Sequence, residues 1–244
     1  MQSRWRRSSL LKKLLGAIII LSFTFYGCVA PTARLPDINT AEVKEQQERQ
    51  KRLSYSNFLK QFHRSHEINF NINLANEDIC HKKNYDIGFR VSNSNSIGEK
   101  EASFYPEEIN LGTKISIVSI PSKSSAKKAG LKLGDKIEMF NGVKVDVGKN
   151  ALKQFEKIKQ KNLTGSELNF RIYRDGVIKE ISYTPQQVCG YPLIFLNDTV
   201  TINAFADGKN TYITQAIAEY TKDDNELALV VGHELAHNNR DHIK

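Results

Sequence analysis

The chain has 244 residues, 40% of them apolar and 25% charged, a globular composition that excludes a disordered or fibrous protein. The formal net charge is +8. Five of those charges (Arg4, Arg6, Arg7, Lys12 and Lys13) lie in residues 1–27, which hold no acid, and the remainder has no long basic run interleaved with aromatics, so a nucleic-acid partner is excluded.

The chain opens on a basic stretch, "MQSRWRRSSLLKK". The apolar "LLGAIIILSFTF" that follows is too short to span a bilayer comfortably, and "YGC" comes next. A small residue before a cysteine, directly after an apolar run, resembles the lipobox of bacterial lipoproteins. That resemblance implies a signal peptide over 1–27, cleavage behind Gly27 and a lipid on Cys28, with Phe25 standing where leucine is usual. An uncleaved membrane anchor and a plain secretory signal are the other readings. All three carry the protein out of the cytoplasm, into the bacterial cell envelope. Val29, rather than Asp, behind the cysteine points to the outer membrane of a two-membrane host and a periplasm-facing protein. Residues 28–40, with two prolines in "PTARLPDINT", form a tether.

From there "TAEVKEQQERQKRLSYSNFLKQFHRSH" has no breaker and many good helix formers. Leu53, Phe58, Leu59 and Phe62 gather near its end, which predicts a helix that is solvated first and docks late. It belongs to an N-terminal helical segment over 41–83. Outside the cytoplasm the two remaining cysteines, Cys80 and Cys189, read as one disulfide; two buried free thiols are the alternative.

Residues 84–185 change texture. "ISIVSI" is a strand, "SSAKKAGL" a helical turn ended by Gly130, and "GDKIEMFNGVKV" a hairpin about Asn141-Gly142. A helix follows over "KNALKQFEKIKQKN", and then a second hairpin about Asp175-Gly176, with Leu168, Phe170 and Ile172 on one face. Strand, hairpin, helix and hairpin make a small α+β barrel. The stretch resembles the PDZ domains of bacterial proteases at Ser125, Ala126, Ala129-Gly130-Leu131, Gly134-Asp135, Ile137 and Asn141-Gly142. The resemblance implies that a peptide adds as a strand beside a groove, its C-terminal carboxylate held by backbone N–H groups of an apolar-Gly-apolar loop. Ile87, Gly88 and Phe89 in "YDIGFRV" are the candidate loop, and the groove lies between that strand and the "KNALKQFEKIKQKN" helix. A core strand with an incidental glycine is the other reading.

Residues 186–244 read as strands followed by helices. Asp223 or Asp224 can cap the last helix, Glu226 completes a capping-box pattern, and nothing breaks the helix before Arg240. It carries "HELAH". His233 and His237, at i and i+4, project from one face and can share one Zn²⁺. Glu234 beside them can take the proton from a water on the metal. The preceding "LALVV" predicts a buried helix, and Gly232 close packing behind the site. Two surface histidines with an exposed glutamate are the alternative.

The stretches "NAFADGKNTYIT", "DDNELALVVGHELAHN" and "RDH" resemble the HtpX/BepA-type zinc metallopeptidases of the CAAX prenyl protease family, one branch of which carries an inserted PDZ domain. The resemblance implies an α+β, zincin-like domain, protein or peptide substrates, and Val200–Phe205 as an edge strand beside the cleft. It also implies a third ligand, a glutamate on a helix tens of residues beyond the motif. Nothing follows Lys244, and the alternative H-x-x-G-x-x-H pattern fails, with Arg240 and Ile243 in the two key places. The expectation is an N-terminal portion of a zinc metalloendopeptidase acting on unfolded envelope proteins, nearly inactive as it stands. A non-catalytic, lipid-anchored PDZ protein and a structural lipoprotein with a relic zinc helix are the competing readings. The oligomeric state cannot be read from the sequence.

Overall fold

The computed structural model describes residues 39–240. The signal segment, Cys28, most of the tether, and Asp241 and His242 lie outside the described residues. The chain divides into two units, residues 1–46 and 47–244. Of the first, the described part is 39–46, all exposed. There Asn39 Oδ1 accepts the N–H of Ala41 at 3.0 Å and starts helix α1 (Thr40–Ala75).

In the second unit the first buried residue of α1 is Leu59, after partly buried Tyr55 and Phe58. Its buried side is then unusually polar, with Gln61, Ser65, His66, Asn69 and Asn73 among Ile68 and Phe70. The helix runs nine residues past His66, further than the sequence predicts. Buried Asn73 is held there by donating to the carbonyl of Tyr191 at 3.1 Å.

Two strands frame the barrel. β1 (Lys83–Asp86) and β8 (Gln186–Cys189) pair antiparallel, with Lys83 opposite Cys189. Beside this ribbon Cys80 and Cys189 form a disulfide, Cα–Cα 5.5 Å. The sheet between runs β2-β3-β4-β6-β7: β2 (Arg90–Ser92), β3 (Ser116–Ser119), β4 (Lys136–Phe140), β6 (Leu168–Arg174) and β7 (Val177–Tyr183), with β5 (Val143–Lys144) paired to β4. Short helices α2 (Ser94–Ile97) and α3 (Glu99–Ala102) follow β2, and α4 (Ser125–Lys128) follows β3. Helix α5 (Ala151–Asn162) closes the barrel.

Both hairpins have the chemistry their turns require. Asn141 and Gly142 stand at φ 47° and 77°, Asp175 and Gly176 at 52° and 81°, the left-handed pair of a two-residue turn that matches strand twist. Alternation along β6 buries Leu168, Phe170 and Ile172 to 1% exposure or less. Phe170 stacks on Phe140 at 4.4 Å and meets Phe89 edge-on at 5.6 Å. Each such side chain stabilises by about 1.5–3 kcal/mol relative to exposure. The Gly134-Asp135 pair also has a physical role. Fully buried Asp135 accepts the N–H of Lys132 at 2.8 Å and the Arg174 guanidinium at 2.5 and 2.6 Å, joining β4's entry to β6's end.

The last segment builds a three-stranded sheet in the order β10-β11-β9: β9 (Leu193–Leu196), β10 (Ala204–Ala206) and β11 (Thr211–Thr214). Helices α6 (Gln215–Tyr220) and α7 (Asp224–Asn239) follow. Ile68 of α1, Ile213, Ala218, Leu227 and Val231 share one apolar cluster. The architecture is α+β throughout.

Candidate metal centre and peptide loop

Helix α7 presents the H-E-x-x-H motif. Asp223 caps it, its Oδ1 accepting the N–H groups of Asn225 at 2.8 Å and Glu226 at 3.0 Å. The capping box departs from expectation by one residue: Glu226 Oε2 reaches the N–H of Lys222, not that of the cap. Leu227, Val231, Leu235 and Asn238, spaced four, four and three apart, are buried. The opposite side is open, with Leu229 75% exposed. The expectation of a buried helix holds for one face: "LALVV" supplies both sides at helical spacing, and only the side of Leu227 and Val231 meets the core. Gly232 is corrected. A Cβ there would meet nothing within 4 Å. It lines a cleft of about 410 Å³ with Ile72, Cys80 and Leu235.

His233 and His237 converge. Their Nε2 atoms are 3.0 Å apart and their rings meet edge-on, centroids 4.7 Å apart. Two nitrogens bound to one tetrahedral Zn²⁺ stand about 3.3 Å apart, so the pair fits that ion with a shift of a few tenths of an ångström. At 3.0 Å one Nε2 carries the proton and the other accepts it. Cation binding needs both Nε2 lone pairs, so the donating ring must take its Nδ1–H tautomer. Glu234 is half-buried between them in sequence, and His233 is exposed. Among the described residues, no group of three or more His, Cys, Asp or Glu side chains could hold a metal ion.

The residues that steady this helix were not singled out from the sequence. Asn238, fully buried, accepts the N–H of Gly208 at 2.8 Å and donates to the carbonyl of Asn210 at 3.0 Å. Asn239 accepts the N–H of His81 at 2.7 Å and donates to the carbonyl of Ile79 at 3.2 Å. The turn carrying His237 is thus tied on one side to the β10–β11 turn and on the other to the loop beside the disulfide. At the far end, Arg64 of α1 donates to the carbonyls of Ala218 and Asp223, to Thr221 Oγ1, and to Asp224 Oδ1 at 2.7 Å. A lone Asn-Asn after the motif and an Arg inside a charged helix give no local signal of these contacts.

Edge strand β10 lies beside α7 but is shorter than expected. Residues 200–203 are not strand, because Asp198 Oδ1 takes the N–H groups of Val200 at 2.8 Å and Thr201 at 3.0 Å. In the turn, Asp207 is held well below the usual carboxylate range by the Asn210 N–H first, with Lys209 and Tyr212 adding to it. Phe205 stacks on Tyr212 at 4.6 Å.

Ile87, Gly88 and Phe89 form the bend between β1 and β2. Ile87 and Phe89 are buried in the barrel core at 3% and 1% exposure. Gly88 has φ +81°, and a Cβ there would stand 2.9 Å from that of Ser124; both facts demand glycine. Its N–H donates to Asp86 Oδ1 at 2.7 Å. Tyr183 donates to the carbonyl of Ile87 at 2.5 Å.

Comparison with known proteins assigns both parts. The PDZ domain family matches residues 85–184 and peptidase family M48 matches residues 173–244. No curated protein matches. Similar solved structures include the HtrA3 PDZ domain bound to a phage-derived ligand (20% identity, 43% of this protein and 88% of that one, TM-score 0.32). A PDZ domain protein from Parabacteroides distasonis is another (22%, 44% and 21%, TM-score 0.30). An aminopeptidase N family protein from Idiomarina loihiensis is a third (16% identity, 42% of this protein, TM-score 0.31), and only 14% of its length is spanned by the match. The two family matches meet at β7: the first covers the barrel as a PDZ domain, and the second covers the segment that bears His233, Glu234 and His237 as part of peptidase family M48.

Proposed function

We propose that this protein is a zinc-dependent metalloendopeptidase of the bacterial cell envelope that captures extended protein segments on its PDZ domain and cleaves them at the α7 helix. The observation that carries the reading is the 3.0 Å approach of His233 Nε2 to His237 Nε2, within the stretch matched by peptidase family M48. His233 and His237 would supply two ligands, and the third would come from outside the described residues. When bound, the ion supplies Lewis acidity that activates water near neutral pH. Glu234 takes the proton from the attacking water and returns it to the leaving amine. β10, the edge of its sheet beside α7 with no strand beyond it among the described residues, offers its outer edge to an extended substrate as an added strand. A lipid on Cys28 would hold the enzyme at a membrane facing the periplasm.

Zinc content and casein cleavage by the full-length protein test this. Glu234→Gln is expected to keep the metal and slow cleavage ~10²–10⁴-fold, and His233→Ala to lose the metal. Cleavage at the parent rate by Glu234→Gln overturns the assignment of the base. Peptide binding with neither zinc uptake nor cleavage identifies the non-catalytic PDZ lipoprotein instead.

A further inference from the structure

The apolar-Gly-apolar bend of this PDZ domain already holds a carboxylate, and it is the protein's own. Asp86, the last residue of β1, turns its side chain over the bend and accepts the Gly88 N–H at 2.7 Å. Arg90, the first residue of β2, closes on the same group. Its Nη1 and Nη2 lie 3.4 Å from Oδ1 and Oδ2, and Nη1 also donates to the carbonyl of Phe89 at 3.1 Å. The Ile87 carbonyl is taken by Tyr183. Three successive residues of the bend thus have backbone groups satisfied from within the domain. Burial by itself would raise the Asp86 carboxyl, but Arg90 and the Gly88 N–H outweigh it and hold it below its ordinary value, so the occupant is an anion at neutral pH.

We infer that Asp86 closes the Ile87-Gly88-Phe89 bend to a free peptide carboxylate, so that this PDZ domain selects internal extended segments over free C-termini. The inference rests on the peptide-capture reading above and names the class of segment captured. A C-terminal carboxylate would need the Gly88 N–H that Asp86 uses. It would have to displace a charge-assisted hydrogen bond and sit against a second anion within contact distance, where like charges repel. An internal segment brings no carboxylate. It needs only the outer edge of β2, which ends the order β2-β3-β4-β6-β7 and has no strand beyond it among the described residues. On this inference, blocking a peptide's carboxylate leaves its binding unchanged. The sequence pattern alone shows three residues of a familiar loop; the structure shows the residue before them filling it.

The test uses the full-length protein and two displayed random-peptide libraries, one with free C-termini and one with the same segments placed internally. Selected peptides are then titrated as free acids and as amides. Wild type is expected to bind the two forms within ~2-fold of each other. Asp86→Ala is expected to bind free acids ~10-fold or more tighter than wild type, the size of one charge-assisted hydrogen bond. A wild-type preference of ~10-fold for free acids, unchanged or reduced in Asp86→Ala, overturns the inference while leaving peptide capture intact. Absence of any binder to either protein overturns peptide capture itself, and the selectivity with it. Amide exchange at Gly88 decides the contact without a ligand. It is expected to be slow in wild type and faster in Asp86→Ala, and unprotected exchange in wild type overturns the closure.

Discussion

At the scale of single residues, the two asparagines after His237 carry the most. Asn238 has three hydrogen bonds in a fully buried position, two to the β10–β11 turn backbone and one to Thr211 Oγ1. Asn238→Ala removes them together and leaves the Gly208 N–H and the Asn210 carbonyl to find other partners. A loss of ~2–4 kcal/mol is expected, measured by urea unfolding, with faster amide exchange over residues 207–210. His66 is the residue on which acid acts. Burial holds its imidazole well below the ordinary value of 6.5, and its Nδ1 meets Ser119 Oγ at 2.7 Å. Its folded value is depressed, so below about pH 6.5 the unfolded protein binds a proton that the folded one refuses, and stability falls as pH falls. His63 shifts the same way from burial. The expected outcome is a urea midpoint that drops between pH 7 and 5 in wild type and drops less in His66→Gln.

At the scale of elements, α1 is the strut. Arg64 binds the end of α6 and the start of α7, and three residues on Glu67 accepts the N–H of Ser122 at 2.7 Å and its hydroxyl at 2.5 Å, ahead of α4. One helix thus grips the barrel and the metal-motif helix with adjacent turns. The Arg64–Asp224 ion pair has an exposed partner, 75% accessible, and contributes little. The bonds to the Ala218 and Asp223 carbonyls lie deeper. Arg64→Ala is expected to cost ~1.5–3 kcal/mol, whereas Asp224→Ala should cost under ~1 kcal/mol. Equal effects in urea unfolding would show that the surface pair dominates. The helix itself was legible as a run of good formers without a breaker. That it docks late was legible from Phe58, Leu59 and Phe62; which face docks further on was not, because a buried side of Gln61, Ser65, Asn69 and Asn73 has no apolar period to read.

At the scale of the whole molecule, the disulfide and the β1–β8 ribbon clamp the two ends of the barrel insertion together. Cys80 and Cys189 are 109 residues apart, and closing a loop of that size stabilises by ~4–5 kcal/mol in the chain-entropy model. Non-reducing peptide mapping should recover one Cys80–Cys189 peptide, and reduction should lower the unfolding midpoint. Two alkylatable thiols in the folded protein would contradict the bridge. At the membrane end, metabolic labelling with a fatty acid should mark the wild type and not Cys28→Ser.

Features dictated by local chemistry could be read without coordinates. Asn141-Gly142 and Asp175-Gly176 turn because few other pairs tolerate two positive φ angles. Leu168, Phe170 and Ile172 face inward because strand side chains alternate, and the two imidazoles share a face because residues four apart on a helix do. Contacts between residues far apart in sequence needed the folded molecule, since no local pattern encodes them. They include Arg64 on the α7 cap, Asn239 on the loop at Ile79 and His81, and one exposed face on a helix that reads as apolar. Asp86 over the Gly88 N–H is the local counterexample. The residues are two apart, yet only the bend's backbone, with Gly88 at φ +81°, aims that carboxylate at its N–H.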